Sequence, residues 1–285
     1  MARAGPSAAP GTASPRAAGG RAGRNLLADV GVGVALGAVV VLALFFYRPG
    51  FGVVVTAAVL VGVWEISRAM ASVAAHPPLV PLLAAATAIE LVTWLRGADG
   101  LATAMLLTCA ALAIWRLSGG AGGYLRDVST GVLVTIYVPF LAGFALLLAV
   151  PDDGVRRVIT FMATVVCSDV GGYATGVFIG RHPMAPTVSP AKSWEGFAGS
   201  VALCVASGIG LGGWLLQLSA WQGAIFGVAI AGAATLGDLG ESMLKRDLGV
   251  KDMGTMLPGH GGVMDRLDSM LPAAAASYLL LSLFT

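Results

Sequence analysis

Charged side chains are scarce in this chain: Asp, Glu, Lys and Arg make up 11% of its 285 residues, against about a quarter in soluble globular proteins. This scarcity excludes an ordinary soluble domain. A net charge of +2, with dispersed basic residues, also excludes a nucleic-acid-binding surface. Cysteine is equally rare, and Cys109, Cys167 and Cys204 lie inside apolar runs without the paired spacing of a zinc or redox site. We interpret them as small apolar residues.

Hydrophobic residues make up 57% of the chain, and the mean hydropathy is +0.85. Apolar runs of about 20 residues, enough to cross a hydrocarbon core of about 30 Å, recur along almost the whole length. The sequence therefore predicts an all-α polytopic transmembrane helical bundle of about nine spans. The predicted spans are 27–47, 51–68, 79–95, 100–117, 128–150, 156–180, 197–217, 221–244 and 263–284.

The predicted organisation is a disordered tail over residues 1–24, followed by a single transmembrane domain over 25–285. The tail is rich in Ala, Gly, Pro, Ser and Arg and has too few large apolar side chains to form a core. Most breaks between spans are short and contain turn residues. The two longer breaks, 181–196 and 245–262, hold many of the polar residues of the C-terminal half.

The distribution of Lys and Arg predicts that the N-terminus is cytoplasmic, since basic residues favour cytoplasmic loops. The tail carries Arg3, Arg16, Arg21 and Arg24. With nine spans, both longer breaks then face the cytoplasm as well. Arg156 and Arg157 fall on the opposite side and are the main observation against this orientation.

We single out six charged residues inside or at the edge of predicted spans, because a charge there is costly and usually has a function. On helices, Asp238 and Glu241 share one face, as do Asp265 and Asp268, because each pair is three residues apart. Convergent carboxylates of this kind suit Mg²⁺ together with phosphates. Glu241 also has an alternative interpretation as an intrahelical ion pair with Lys245. The six are Asp169, Asp238, Glu241, Asp265, Arg266 and Asp268.

Basic residues and glycines surround these acids. Lys245, Arg246 and Lys251 lie beside a Gly259-His260-Gly261-Gly262 turn that leads directly into a predicted helix. Clustered cations beside glycine-rich backbone favour polyphosphate binding, and free N–H groups at a helix N-terminus can hold an anion. His260 can equally be a turn residue hydrogen-bonded to the backbone.

From Ser242 to Asp268 the chain reads Ser-x-x-Lys-Arg, four residues, Lys-Asp-x-Gly, and then Pro-x-His-Gly-Gly-x-x-Asp-Arg-x-Asp. This stretch resembles the signature of the phosphatidate cytidylyltransferases, also called CDP-diacylglycerol synthases. A second block, 169–196, is similar to the family's other shared stretch, with Ser193 where Thr is common and Gly172 where Ala is common. The resemblance is strong over about 160–270, and the N-terminal half is placed by analogy.

The resemblance implies transfer of CMP from CTP to phosphatidate, giving CDP-diacylglycerol and pyrophosphate, with Mg²⁺ and room for a second cation. It implies Asp238, Asp265 and Asp268 as metal ligands, and we expect Asp265, Arg266 and Lys245 to act in catalysis. Further expectations are contact with membrane lipids, a homodimer, and a bacterial inner membrane with the site facing the cytoplasm. The expected substrate-binding residues are Asp169, Tyr173, Ser189, Lys192, Glu195, Arg246, Lys251, His260, Gly261 and Gly262.

Two alternatives remain open from the sequence. One is another CTP-using membrane enzyme, such as a polyprenol kinase or an ether-lipid synthase. The other is a cation-coupled transporter, because intramembrane carboxylates and glycine-broken helices also build ion sites. The clustering of basic residues at one edge and the lack of an internal repeat favour the enzyme.

Overall fold

The structure is a computed structural model that describes residues 37–73, 75–254, 256 and 261–285. Seven of its helices are long and apolar enough to cross a membrane, which defines an integral membrane protein and confirms the predicted all-α bundle. The predicted tail 1–24 lies outside the described residues. The helices are α1 Gly37–Phe46, α2 Arg48–Met70, α3 Leu79–Leu117, α4 Tyr124–Ala149, α5 Gly154–Ile179, α6 Trp194–Leu216, α7 Ala220–Asp247 and α8 Met264–Phe284.

Helix α3 is a helical hairpin and not one straight rod. Its 39 residues would extend roughly 58 Å at 1.5 Å each, about twice the hydrocarbon core. Gly97 has φ 68° and ψ −148°, which is not helical. A Cβ built on Gly100 would lie 2.5 Å from the Val92 carbonyl oxygen, although residues eight apart on a straight helix are about 12 Å apart. The chain therefore reverses at Gly97, and the predicted spans 79–95 and 100–117 are its two arms.

Two other helices have local irregularities with identifiable causes. In α4, residues Ile136–Phe140 are π-helical around Pro139, which has no N–H to donate to the preceding turn. In α6, the π-helical segment Gly208–Gly212 contains three glycines. A short 3-10 turn, Ala71–Val73, follows α2. The total of nine spans stays a prediction, because residues 27–36 of the first predicted span, 27–47, lie outside the described residues.

The helices alternate in direction, so their connections gather at two ends of the bundle. At one end, which we call the short-loop end, Arg48 donates to the carbonyls of Pro151 and Asp152, at 3.3 and 2.5 Å. The opposite end carries the connections after α2, after the second arm of α3, after α5 and after α7. There Ser72 donates to the Leu248 carbonyl at 2.9 Å. We call this the long-loop end.

Helices α5, α6 and α7 pack unusually closely, because glycines and small polar residues line their contacts. A Cβ built on Gly171 would lie 2.6 Å from the Gly199 carbonyl oxygen, so the α5 and α6 backbones nearly touch there. Small residues allow such an approach between membrane helices, where packing rather than hydrophobic burial drives association. Two hydrogen bonds also cross this contact: the Thr164 and Ser207 hydroxyls are 3.0 Å apart, and the Ser200 hydroxyl donates to the Ser168 carbonyl at 2.6 Å.

The longer breaks differ from their predicted form. The 181–196 break contains a two-stranded antiparallel hairpin, β1 Pro183–Ala185 and β2 Ser189–Ser193, which the sequence did not predict. It passes directly into α6, whose N-cap Ser193 accepts from the Gly196 N–H at 3.1 Å. The prediction that the second break begins at residue 245 was wrong, because α7 runs to Asp247 and Lys245 and Arg246 are helical.

Candidate active site at the long-loop end

A cavity of about 330 Å³, with charged and hydroxyl side chains in its wall, opens between α5, α6, α7 and the hairpin. This size is within the range of small-molecule sites. Four of the predicted substrate-binding residues line the cavity: Asp169 and Tyr173 from α5, and Ser189 and Lys192 from β2. Asp238, a predicted metal ligand, contributes from α7. The structure thus brings the 169–196 block together with the part of α7 that leads into the Ser242–Asp268 stretch.

Charges of both signs face this cavity. The Lys192 ammonium forms an ion pair with the Asp238 carboxylate, and these side chains remain 24% and 41% exposed. Asp169 interacts electrostatically with Asp238, Lys192 and Arg266. Because the pair is reachable by solvent, an incoming anion can compete for Lys192 while a cation takes its place on Asp238.

Glu195, another predicted substrate residue, binds the hairpin connection. Its carboxylate accepts from the Arg181 and His182 N–H groups at 3.1 and 3.2 Å and lies 2.5 Å from His182 Nδ1. It is not among the residues that line the cavity. The described contacts of Glu195 therefore fix the start of the hairpin, and a direct contact with substrate stays a prediction.

A second polar cluster begins one turn after Asp238 on α7, toward the long-loop end. Lys245 donates to Glu241 one turn earlier on α7 and to Asp265 Oδ1 on α8, at 2.8 Å for the second bond. This confirms the predicted ion pair between Glu241 and Lys245. Glu241 is fully buried, and the Asp265 side chain is only 9% exposed. One lysine therefore joins carboxylates from two helices.

Asp265 also organises the turn that leads into α8. Its Oδ2 accepts from the Gly262 N–H at 2.7 Å and the Met253 N–H at 3.1 Å. Gly261 has φ +80°, a left-handed conformation that favours glycine. The Gly262 N–H, which we expected to bind substrate, is thus directed at a protein carboxylate in this structure.

Asp268 lies on the other side of this cluster. It is 7% exposed and accepts from the Ser269 N–H at 2.7 Å. Its carboxyl group also interacts electrostatically with those of Glu241 and Asp238. Buried carboxyl groups that interact in this way need a proton or a cation to offset their charge.

The donor set at Asp238, Glu241 and Asp268 fits a hard divalent cation in its chemistry, because it consists of carboxylate oxygens. Glu241 Oε1 is also buried with no hydrogen-bond partner among the described residues. Within this part of the chain, however, no three acidic, His or Cys side chains converge closely enough to form a metal centre as they stand. The predicted ligand set of Asp238, Asp265 and Asp268 therefore stays a prediction.

The remaining predicted residues that the structure describes are exposed. Arg246 is exposed, and its Nε donates to the Val188 carbonyl of the hairpin at 3.3 Å. Lys251 and Arg266 are also exposed, the second within electrostatic reach of Asp169. Tyr173 is 68% exposed. His260 lies outside the described residues.

Two buried acids were missed by the sequence reasoning. Glu65 on α2 and Glu90 on α3 are each 1% exposed and lie inside apolar runs. Asp238 and Asp268 were singled out because an ionisable residue within a span usually has a function. The same rule applies to Glu65 and Glu90. Glu65 Oε2 accepts from the Met264 N–H at 2.8 Å, so the N-terminal half contributes directly to this region.

The fold and this site define a polytopic membrane protein with a cavity that holds a lysine–aspartate pair and a carboxylate–lysine cluster at one end of its bundle. The model of the Cytidylyltransferase family matches residues 28–284. The chain belongs to this family.

Individual relatives agree with this membership. The phosphatidate cytidylyltransferase of Mycobacterium bovis is 42% identical over 279 residues, which cover 92% of this chain and 90% of the relative. That of Mycobacterium leprae is 40% identical over 92% of this chain and 89% of its own length. That of Helicobacter pylori is 42% identical over a shorter stretch of 153 residues, 54% of this chain. The resemblance found in the sequence is confirmed.

Proposed function

We propose that this protein is a phosphatidate cytidylyltransferase, which transfers CMP from CTP to phosphatidate and releases pyrophosphate. The observation that carries the proposal is that α5, α7, α8 and the hairpin bring both signature blocks to one end of the bundle. A cavity lined by Lys192 and Asp238 adjoins the carboxylates that Lys245 joins. The names of the relatives supply the substrates.

We place the nucleotide in the cavity, with its phosphates near Lys192 and Arg266. Together the two substrates bring about five to six negative charges at neutral pH, given a second phosphate pKa near 6. Arg246 and Lys251 at the long-loop end are exposed, so they are available to reduce the repulsion between the two substrates. Arginine suits this purpose because its planar group binds phosphate oxygens in pairs.

The reaction requires no strong general base, since a phosphatidate oxygen is largely ionised at neutral pH. That oxygen attacks the α-phosphorus of CTP, a new P–O bond forms, and the bond to the β-phosphate oxygen breaks. The electron pair leaves with pyrophosphate. The protein contributes alignment of attacking and leaving oxygens and stabilisation of the charge that develops on pyrophosphate. Lys245 and Arg266 are the cations that we assign to this second task.

Mg²⁺ would be held by Asp238 and Asp268, with Glu241 Oε1 as a further oxygen. When bound, such an ion neutralises phosphate charge and orients the reacting groups. Asp265 is the third predicted ligand, and in this structure its oxygens accept from Lys245, Gly262 and Met253. A second cation and a homodimer remain expectations.

We further propose that the long-loop end faces the cytoplasm of a bacterial inner membrane, where CTP is available. The basic residues support this orientation, because they favour the cytoplasmic side. The short-loop end carries Arg48, Arg96, Arg156 and Arg157 among the described residues. The long-loop end carries Arg68, Arg116, Arg126, Arg181, Lys192, Lys245, Arg246, Lys251 and Arg266.

The test is turnover by purified protein with labelled CTP and phosphatidate, with and without Mg²⁺. Asp268→Asn should lose most of the turnover while remaining folded, because it removes a carboxylate charge from the centre of the site. The matched control is Asp99→Asn, which changes an exposed acid at the short-loop end and should leave turnover unchanged. Absence of CDP-diacylglycerol formation by the wild-type protein would refute the proposed function.

A further inference from the structure

Glu65 lies on α2, far in sequence from the signature blocks, yet its carboxylate lies at the start of α8. Glu65 Oε2 accepts from the Met264 N–H at 2.8 Å, a bond between residues 199 positions apart. Met264 is the first residue of α8, directly before Asp265. A helix N-terminus has free N–H groups and a positive dipole end, and a carboxylate there stabilises both.

The backbone at Gly254 and Gly262, in the signature segment that precedes α8, also packs against this carboxylate. A Cβ built on Gly262 would lie 2.7 Å from Glu65 Cδ, and one built on Gly254 would overlap the same group. A larger residue at either position would displace the Glu65 carboxylate from this place. One turn earlier on α2, a Cβ on Gly62 would lie 3.6 Å from the Met264 sulfur, so the helices are in close contact.

Two carboxylates therefore accept hydrogen bonds from different N–H groups at the start of α8. Glu65 takes that of Met264, and Asp265 takes that of Gly262. Glu65 is 1% exposed, and its Oε1 has no hydrogen-bond partner among the described residues. Burying a carboxylate in this way has an energetic cost that a neutral residue would avoid. This argues that the contact serves the site.

We propose that Glu65 is a positioning residue of the active site, which anchors the turn before α8 and thereby fixes Asp265 and Asp268 relative to Lys245. It acts through the backbone of the turn and does not contact the reacting atoms. The catalytic part of this proposal rests on the proposed function. Whether Glu65 anchors the turn before α8 can be measured without assaying the proposed activity.

The variant Glu65→Ala removes the acceptor, and Glu90→Ala is its matched control. Both replace an acid that is 1% exposed inside a helix, but Glu90 has no described contact with the signature turn. We expect Glu65→Ala to lower kcat at least tenfold with the KM for CTP changed less than threefold. Glu65→Gln, which keeps one acceptor oxygen for the Met264 N–H, should recover most of the kcat. Glu90→Ala should keep the wild-type kcat per folded molecule.

Hydrogen–deuterium exchange of the full-length protein provides a second measurement. Peptides covering 251–268 should exchange faster in Glu65→Ala, whereas those from α4 should not change. If Glu65→Ala does not fold, Glu65→Asp retracts the carboxylate by one methylene and should show the same effects more weakly.

A kcat within twofold of wild type for the folded Glu65 variant, or an equal loss in Glu90→Ala, would overturn the positioning role. Unchanged exchange over 251–268 would overturn the anchoring. If the wild-type protein has no turnover with CTP and phosphatidate, the proposed function fails, and the exchange measurement still decides whether Glu65 anchors the turn.

Discussion

Replacing Lys245 with Met tests the carboxylate–lysine cluster most directly. Met keeps much of the side-chain length but removes the charge that joins Glu241 to Asp265. The fully buried Glu241 would then lose its only basic partner among the described contacts, while Asp265 would keep its bonds from Gly262 and Met253. The variant therefore leaves one buried acid without compensation.

The expected cost follows from burial. Removing one partner of a buried ion pair typically costs about 3–5 kcal/mol. The Lys245 side chain is 19% exposed, which favours the lower end of this range. For chains of 150–250 residues, a loss of about 3 kcal/mol corresponds to a fall in Tm of roughly 6–12 °C. Turnover should also fall about 100-fold, the usual effect of removing one preorganised group that stabilises developing charge.

The assay combines a melting curve in detergent with steady-state kinetics on the folded fraction. The double variant Lys245→Met/Glu241→Gln separates the two effects, because it removes the uncompensated carboxylate as well. We expect it to recover most of the Tm but little of the turnover. An unchanged Tm in Lys245→Met would refute the buried ion pair, and recovered turnover in the double variant would show that Lys245 has no catalytic role.

Two further predictions concern packing and orientation. Gly171→Ala should cost about 1–3 kcal/mol, because a Cβ there would lie 2.6 Å from the Gly199 carbonyl, whereas Gly232→Ala has open space and should leave Tm unchanged. In a background lacking the native cysteines, Thr187→Cys at the long-loop end should resist an impermeant thiol reagent in intact bacterial cells. Asp152→Cys at the short-loop end should react under the same conditions, and the reverse pattern would contradict the proposed sidedness.

The fold was largely predictable because membrane helices are specified locally. A run of about 20 apolar residues has few alternatives in a bilayer, so the predicted spans from 51–68 onward all fall on observed helices. The hairpin at 183–193 was not predictable in this way. Its strands of three and five residues have no apolar alternation, and they form beside helices that the local sequence does not reveal.

The site was predictable in composition and less so in pairing. The sequence predicts Asp265 as a metal ligand, and it has no basic residue four positions later that could pair with it. In the structure Lys245, twenty positions earlier on another helix, supplies the missing partner. Spacing rules apply within one helix, and they carry no information about which helices meet. Glu65 was missed for a similar reason, since its role depends on the contact between α2 and α8.

The reversal at Gly97 has a consequence for the biogenesis of the protein. The two arms of α3 are joined by a turn without a hydrophilic loop, and Arg96 and Asp99 are the exposed charged residues beside it. The arms should therefore enter the bilayer together as a preformed pair, in which each supplies the apolar surface that lets the other insert. If the segment entered as a single crossing instead, every later helix would be inverted, and newly made enzyme would present its site to the wrong compartment. The orientation of the finished protein in the membrane thus depends on whether the chain reverses at Gly97 during synthesis.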